Sequence, residues 1–114
     1  MDCVFCRIIA GELPSDILYQ DDEVIAIRDI NPQAPTHILI MSKAHIPSLA
    51  ETTPPINRGG LLAHMCFVAI QLAKKEGVSE TGYRLVINSG AEGGQEVPHL
   101  HLHLLGGRRL GKLG

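Results

Sequence analysis

Polar and apolar residues exchange at every step of Pro98-His99-Leu100-His101-Leu102-His103-Leu104. Side chains of a strand point by turns to opposite faces. Three imidazoles therefore share one face of a strand predicted over 97–105, and three leucines form the other. Upstream, aliphatic and β-branched runs predict strands at 17–19, 24–28 and 37–41, with Gln20-Asp21-Asp22 as a hairpin turn and 29–35 as a loop. These three strands are expected to form an antiparallel meander. Residues 42–55 carry three prolines and read as a loop, and Thr53 before Pro54 resembles a helix entrance. Leu61, Met65, Val68 and Leu72 then recur at three- and four-residue steps, with Leu62, Ala69 and Ala73 widening the stripe. Lys74 and Lys75 before Gly77 suit the end of this long helix, and Gly59 and Gly60 should weaken its first turn. A fourth strand is predicted over 83–88, followed by a glycine-rich loop over 89–96. The leucines of the histidine strand are placed to pack on the helix stripe, which leaves the histidines facing a cleft.

Composition narrows the class. The chain has 114 residues, enough for a single domain over 1–114, and 45% hydrophobic with 19% charged residues is the balance of a globular protein. Ten Lys and Arg against twelve Asp and Glu, with no long run of either sign, disfavour a nucleic-acid polymer as partner. No segment approaches the roughly 20 apolar residues of a membrane span, and Met1-Asp2-Cys3 lacks the pattern of a signal peptide. The expected location is cytoplasmic. Three cysteines, Cys3 and Cys6 as C-x-x-C and Cys66 within the helical stretch, argue against a disulfide framework. Cys66 is expected to be inert core.

Half of the six histidines fall within five residues. Plain solvation of a strand face would be served as well by Thr, Glu or Lys. Histidines two apart on a strand can chelate a metal, or they can act as nucleophile and proton donors. The preceding Gly90-Ala91-Glu92-Gly93-Gly94-Gln95 is a loop whose amides can converge on an anion. Beside three aligned imidazoles it reads as a phosphate cradle.

The run His99-Leu100-His101-Leu102-His103-Leu104-Leu105 resembles the histidine-triad signature. With Phe5 to Pro14, Asp29-Ile30-Asn31-Pro32-Gln33-Ala34-Pro35-Thr36-His37, Tyr83-Arg84, Asn88 and Gly93-Gly94-Gln95, the chain resembles the Hint branch of that superfamily nearly end to end. The resemblance implies an α+β fold: a five-stranded antiparallel sheet with one long helix and a short N-terminal helix, the sheet continued across a homodimer. It also implies a purine nucleoside phosphoramidase, with purine nucleotide conjugates as substrates, that releases a nucleoside monophosphate and an amine. No cofactor is implied for catalysis.

By the same resemblance His101 is the nucleophile that attacks the α-phosphorus. A neutral imidazole can do so at pH 7, and a backbone carbonyl on its other nitrogen would hold the reactive tautomer. His103 and the amides of Gly94, Gln95 and Glu96 are expected to stabilise the non-bridging oxygens. His103 is also the first candidate for protonating the amine, and His99 is expected to orient and support. Asn88 and Gln95 are implied near the phosphate or ribose, Asp29 on both ribose hydroxyls, and Phe5, Ile8, Ile27 and Ile30 around the base. Without the resemblance Asp29 and Asn88 would read as turn residues and the four apolar positions as core. His37 is implied as a supporting contact behind the catalytic residues, though an ordinary buried or loop histidine fits its local sequence.

In a subset of the superfamily the residues matching Cys3, Cys6, His45 and His99 bind structural zinc, and two sulfurs with two imidazoles suit its tetrahedral preference. Reduced, partly buried cysteines are the plainer reading. Ile27 stands where many relatives carry Phe, Glu96 where some carry Ser, and the chain ends soon after Arg108-Arg109 without Trp. A looser base pocket, a shifted leaving-group preference and a more open site are the expectations. Two other functions compete: a nucleotide-binding or scaffolding protein with incidental hydrolysis, and a zinc protein in which the triad itself is the ligand set.

Overall fold

The computed structural model describes residues 3–51 and 58–114, of which Arg58 and Gly59 are described in backbone only. In chain order it holds helix α1 (Val4–Ile9), strands β1 (Ile17–Gln20), β2 (Val24–Arg28) and β3 (Thr36–Ser42), a 3-10 turn at Leu49–Glu51, helix α2 (Arg58–Lys75), and strands β4 (Tyr83–Val86) and β5 (His101–Gly106). The expected helix entrance at Thr53 and Pro54 lies outside the described residues. The five strands form one antiparallel sheet in the order β1-β2-β3-β5-β4. The meander of β1 to β3 is present, and β5 then inserts between β3 and β4.

Period-two side-chain alternation turns this sheet into a double-sided core. On one face Val24, Ala26, Ile38, Ile40, Leu100, Leu102 and Leu104 pack on Leu61, Met65, Val68, Ala69, Leu72 and Ala73 of α2. On the other, Ile25, Ile27, Leu39 and Met41 pack on Cys3 and Phe5, with Ile8 against them. β3 is buried along its whole length, which explains why it reads as an unbroken apolar run rather than an alternating one. Burial of this apolar area is the main stabilising term.

Polar contacts fix the helix over the sheet. Asp21 closes the β1–β2 turn by accepting from the Glu23 and Val24 amides at 2.8 and 2.9 Å, and its other oxygen lies 2.6 Å from both Tyr19 Oη and His64 Nε2 of α2. Burial opposes the Asp21 charge, but the bonds from Tyr19, His64 and the two amides outweigh it and hold the carboxyl well below its ordinary range. At the other end of α2, Arg28 donates to both Glu76 oxygens at 2.7 and 2.9 Å.

Four expectations need correction. β5 starts at His101 rather than 97: residues 97–99 bend, Pro98 has no amide to give a ladder, and the Leu100 amide bonds the Ile46 carbonyl instead. β4 stops at Val86, so Asn88 belongs to the loop. Cys66 is only partly buried at the edge of the core, not sealed within it. Of the triad histidines His101 and His103 do face a cavity, but His99 does not: it is 0% exposed and its ring meets Phe5 of α1 at 5.8 Å.

Candidate active site

Register decides which imidazoles meet. In the β3–β5 ladder His101 lies opposite Met41, His103 opposite Leu39 and His37 opposite Leu105. His37 and His103 are therefore diagonal neighbours on one face, within reach of each other's rings. Their near nitrogens, His37 Nε2 and His103 Nδ1, are 3.0 Å apart.

Hydrogen bonding assigns each proton. His101 Nδ1 lies 2.6 Å from the His99 carbonyl, an acceptor, so the proton is on Nδ1 and Nε2 carries a lone pair. His37 Nδ1 accepts from the Gln33 amide at 3.0 Å, which puts the His37 proton on Nε2, facing His103 Nδ1. His103 must then accept at Nδ1 and carry its own proton on Nε2. Two histidines, two residues apart on one strand, thus stand in opposite tautomers. Asp29 Oδ2 lies 3.4 Å from His37 Nε2, and Asp29 Oδ1 accepts from the Asn31 amide at 2.9 Å.

Burial, with the neighbouring His101 and His37 adding to it, pushes His103 down to about 4, while Asp29 opposes the shift. Burial likewise lowers His37, again against Asp29. Both rings are neutral near pH 7 and donate as N–H groups.

These groups line a cavity of about 720 Å³, a size suited to a small-molecule ligand, that gathers Phe5, Ile8, Ile27, Asp29, Ile30, His37, Asn88, Gly94, Glu96, His101 and His103. Phe5 meets the His101 ring edge to face at 5.0 Å and 88°. Ile30 is 95% exposed at the rim, an apolar surface with nothing yet packed on it.

Two expected residues are placed elsewhere. Gln95 turns its amide inward: Nε2 donates to the Pro47 and Val97 carbonyls at 2.7 and 3.0 Å, and Oε1 accepts from the Gly90 amide at 2.9 Å. The Gly94 and Gln95 amides are likewise used within the loop, on Ala91 and Gly90 carbonyls, so among the three expected cradle amides only that of Glu96 has no protein partner among the described residues. The loop folds this tightly because Gly93 leaves its Cβ position empty; a Cβ there would sit 2.6 Å from the Ser89 carbonyl oxygen. His99 also lies outside the cavity lining. Sequence reasoning gave no role to the Gln33 amide or to Leu39, which both belong to the site; a backbone donor leaves no trace in residue type.

His99 instead joins Cys3, Cys6 and His45, whose donor atoms all lie within 4.8 Å of one another. Its Nε2 lies 2.6 Å from the Ser42 carbonyl, so Nδ1 is a lone pair, facing Cys3 Sγ at 3.4 Å, Cys6 Sγ at 3.6 Å and His45 Nδ1 at 3.2 Å. Cys6 Sγ and His45 Nδ1 are 3.2 Å apart. Tetrahedral zinc with its usual bond lengths requires nitrogen–nitrogen edges of about 3.3 Å and sulfur–nitrogen edges of about 3.6 Å. The four residues fit that ion. Burial and the Cys3 hydrogen bond push the Cys6 thiol up, a cost that a bound cation would reverse. The second cluster, Asp29, His37 and His103, fits a metal less well, since an N–H rather than a lone pair of His37 faces it. The three triad imidazoles do not converge on one point.

Known proteins and solved structures resemble the chain nearly end to end. The chain is 50% identical over 112 residues to the purine nucleoside phosphoramidase of Escherichia coli, covering 98% of this chain and 92% of that protein. It is 47% identical over 107 residues to a 14 kDa zinc-binding protein of Zea mays, covering 94% and 83%. Among solved structures, a HIT family hydrolase from Legionella pneumophila superposes with a TM-score of 0.90 at 49% identity, over 95% of each chain. A zinc-bound histidine triad family protein from Mycobacterium smegmatis superposes with a TM-score of 0.81 at 32% identity, over 100% of this chain and 81% of that one. Residues 10–110 match the HIT domain, and the chain belongs to the HIT domain family.

Proposed function

We propose that the protein is a purine nucleoside phosphoramidase that cleaves the P–N bond of nucleoside 5′-phosphoramidates through a covalent nucleotidyl-histidine at His101. The observation that carries this reading is the His101 tautomer: its Nδ1 proton is engaged by the His99 carbonyl, so the Nε2 lone pair is left for the cavity. The likeness to the Escherichia coli enzyme supports the same reaction class.

In this reading Nε2 of His101 attacks the α-phosphorus, the P–N bond breaks, and the amine departs with a proton. Water then cleaves the phosphorus–histidine bond and releases the nucleoside monophosphate. His103, a neutral Nε2–H donor, bonds a non-bridging oxygen as charge shifts onto it. The bound anion raises the His103 pKa, which makes the same group the first candidate donor to the leaving amine. The Glu96 amide supplies a further donor. Asp29 keeps a lone-pair direction on each oxygen for the ribose hydroxyls, and Phe5, Ile8, Ile27 and Ile30 enclose the base. His99 acts through its carbonyl. Zinc held by Cys3, Cys6, His45 and His99 would be structural, fixing α1 and residue 99, and no step of the reaction passes through it.

A homodimer and a cytoplasmic location belong to the same proposal. Among the described residues no helix is long and apolar enough to cross a membrane. β4 is an outer strand of the sheet, and Phe67 and Ile70 are exposed on α2 at 57% and 38%. Pairing of two β4 edges would bury both features, and sedimentation as a dimer is the expected result.

The test is steady-state hydrolysis of adenosine 5′-phosphoramidate by wild type, His101→Ala and chelator-treated enzyme. Turnover that the mutation removes by at least about a thousandfold and that chelation leaves in place supports the reading. A well-folded wild type that binds adenosine monophosphate tightly yet turns over no faster than His101→Ala would make it a nucleotide-binding protein instead.

A further inference from the structure

A line of backbone and side-chain contacts runs from the exposed C-terminal segment to the proton on His103. After β5, Gly107 takes a φ of +94°, and a Cβ there would lie 2.8 Å from Pro35 Cβ, so glycine lets the segment lie flat against the 29–35 loop. Arg108 then spans two carbonyls with its guanidinium: Nη2 donates to Gln33 O at 2.8 Å and Nη1 to Arg109 O at 3.0 Å. Arg84 of β4 donates to Gly111 O at 2.7 Å and pins the segment further on.

Gln33 is held on both sides. Its carbonyl accepts from Arg108, and its amide donates to His37 Nδ1 at 3.0 Å. His37 is 5% exposed, so no bulk water stands ready to replace that donor. If the Gln33 peptide turns away, only the Asp29 carboxylate, 3.4 Å from Nε2, still favours a proton there, and part of the His37 population can carry its proton on Nδ1. A lone pair on His37 Nε2 then faces His103 Nδ1 at 3.0 Å. The His103 proton is drawn to Nδ1 to meet it, and Nε2 turns from donor to acceptor. Toward a phosphoryl oxygen that reversal replaces a hydrogen bond with a repulsion.

We propose that Arg108 is a positioning residue for the hydrolysis: by holding the Gln33 carbonyl it keeps the Gln33 amide on His37 and the His103 proton directed at the substrate. The proposal rests on the reading of His103 as the donor to the phosphoryl group. It assigns a function to a surface arginine that touches neither nucleotide nor nucleophile.

The experiment compares wild type, Arg108→Met, which keeps the apolar stem and removes the donors, Arg108→Ala, and Arg109→Ala as a charge control. Long-range nitrogen–proton NMR of the imidazoles reads the tautomers without any turnover. Wild type should show His37 and His103 each protonated at Nε2 only. Arg108→Met should show both rings as mixtures, with kcat/KM for adenosine 5′-phosphoramidate down about tenfold and adenosine monophosphate affinity weakened in proportion to the lost donor tautomer. Arg109→Ala should match wild type in every readout. Unchanged tautomers in a folded Arg108→Met protein overturn the proposal, as does an equal effect of Arg109→Ala; should Arg108→Ala unfold, Arg108→Met decides. Full activity of His103→Ala would instead remove the underlying reading, and the tautomer result would still stand or fall separately.

Discussion

At the scale of single residues, opposite chemistry is drawn from one side-chain type by the group each ring is given to bond. A carbonyl on Nδ1 leaves His101 with a lone pair at Nε2; a donor on Nδ1 of His37 leaves His103 with a proton at Nε2. Neither assignment requires a charged imidazole. In the proposed reaction Asp29 is the residue that would decide between ribose and deoxyribose. Its Oδ1 takes the Asn31 amide and its Oδ2 sits near His37, so the carboxylate is held in one orientation without any ligand. Asp29→Asn keeps the shape and an acceptor for Asn31 but replaces one oxygen with a donor. Charge-assisted hydrogen bonds are worth about 1.5–3 kcal/mol, so KM for adenosine 5′-phosphoramidate should rise roughly tenfold or more. Preference over the 2′-deoxy substrate should shrink toward unity in the mutant. Equal kcat/KM of wild type for the ribo and deoxy substrates would remove Asp29 from this role. Its neighbour Ile30, almost fully exposed, shows why residue type alone was ambiguous here: an isoleucine in a loop reads as core until burial is known.

At the scale of elements, the histidine strand was legible because alternation is a local property. Three imidazoles on one face and three leucines on the other follow from period two alone, and the leucines do pack on α2. The start of β5 was not legible. Whether 97–100 joins the ladder depends on the Pro98 bend and on the Ile46 carbonyl, which is far away in sequence. That bend has a consequence for His99, which turns from the cavity toward α1 and meets Cys3, Cys6 and His45. α1 itself has only six residues, too few to be stable as an isolated helix. Cys3 caps it by accepting from the Cys6 amide at 3.4 Å, and both sulfurs tie it to the histidines. Zinc should therefore act chiefly on this element. Metal present at a thousandfold its dissociation constant stabilises the fold by about 4 kcal/mol, so chelation should lower the melting temperature by many degrees. His45→Ala should melt like the chelated wild type, with or without added zinc. Identical melting of zinc-supplied and chelated wild type would show that the cluster holds no zinc.

At the scale of the whole molecule, the sheet is enclosed by α2 on one side and by α1 with the cavity on the other, and only the first side is purely apolar. The second side buries imidazoles that would rather be charged in water as the pH falls. His103 is lowered to about 4 and His37 is lowered too, burial being the leading cause in both. In the unfolded chain both titrate near 6.5. As pH drops from about 6.5 toward 4, the unfolded state takes up protons that the folded state refuses, so stability falls across that window and is fully present above it. Each such proton contributes a slope of up to about 1.4 kcal/mol per pH unit. Two carboxylates add to the decline only at its acid end: the Arg28 hydrogen bond holds Glu76 below its ordinary 4.5, so its contribution is lost as pH falls through and below that value. Asp21 is held below its ordinary value of 3.8, so its contribution is lost only as pH falls below that value. Urea unfolding of metal-free protein at pH 7.5, 6.5, 5.5 and 4.5 should show the decline, and His103→Asn should reduce its slope by about one proton. A wild-type stability that stays flat from pH 7.5 to 4.5, or an unchanged slope in His103→Asn, would mean that His103 is charged in the folded state, and its reading as a neutral donor would have to be abandoned.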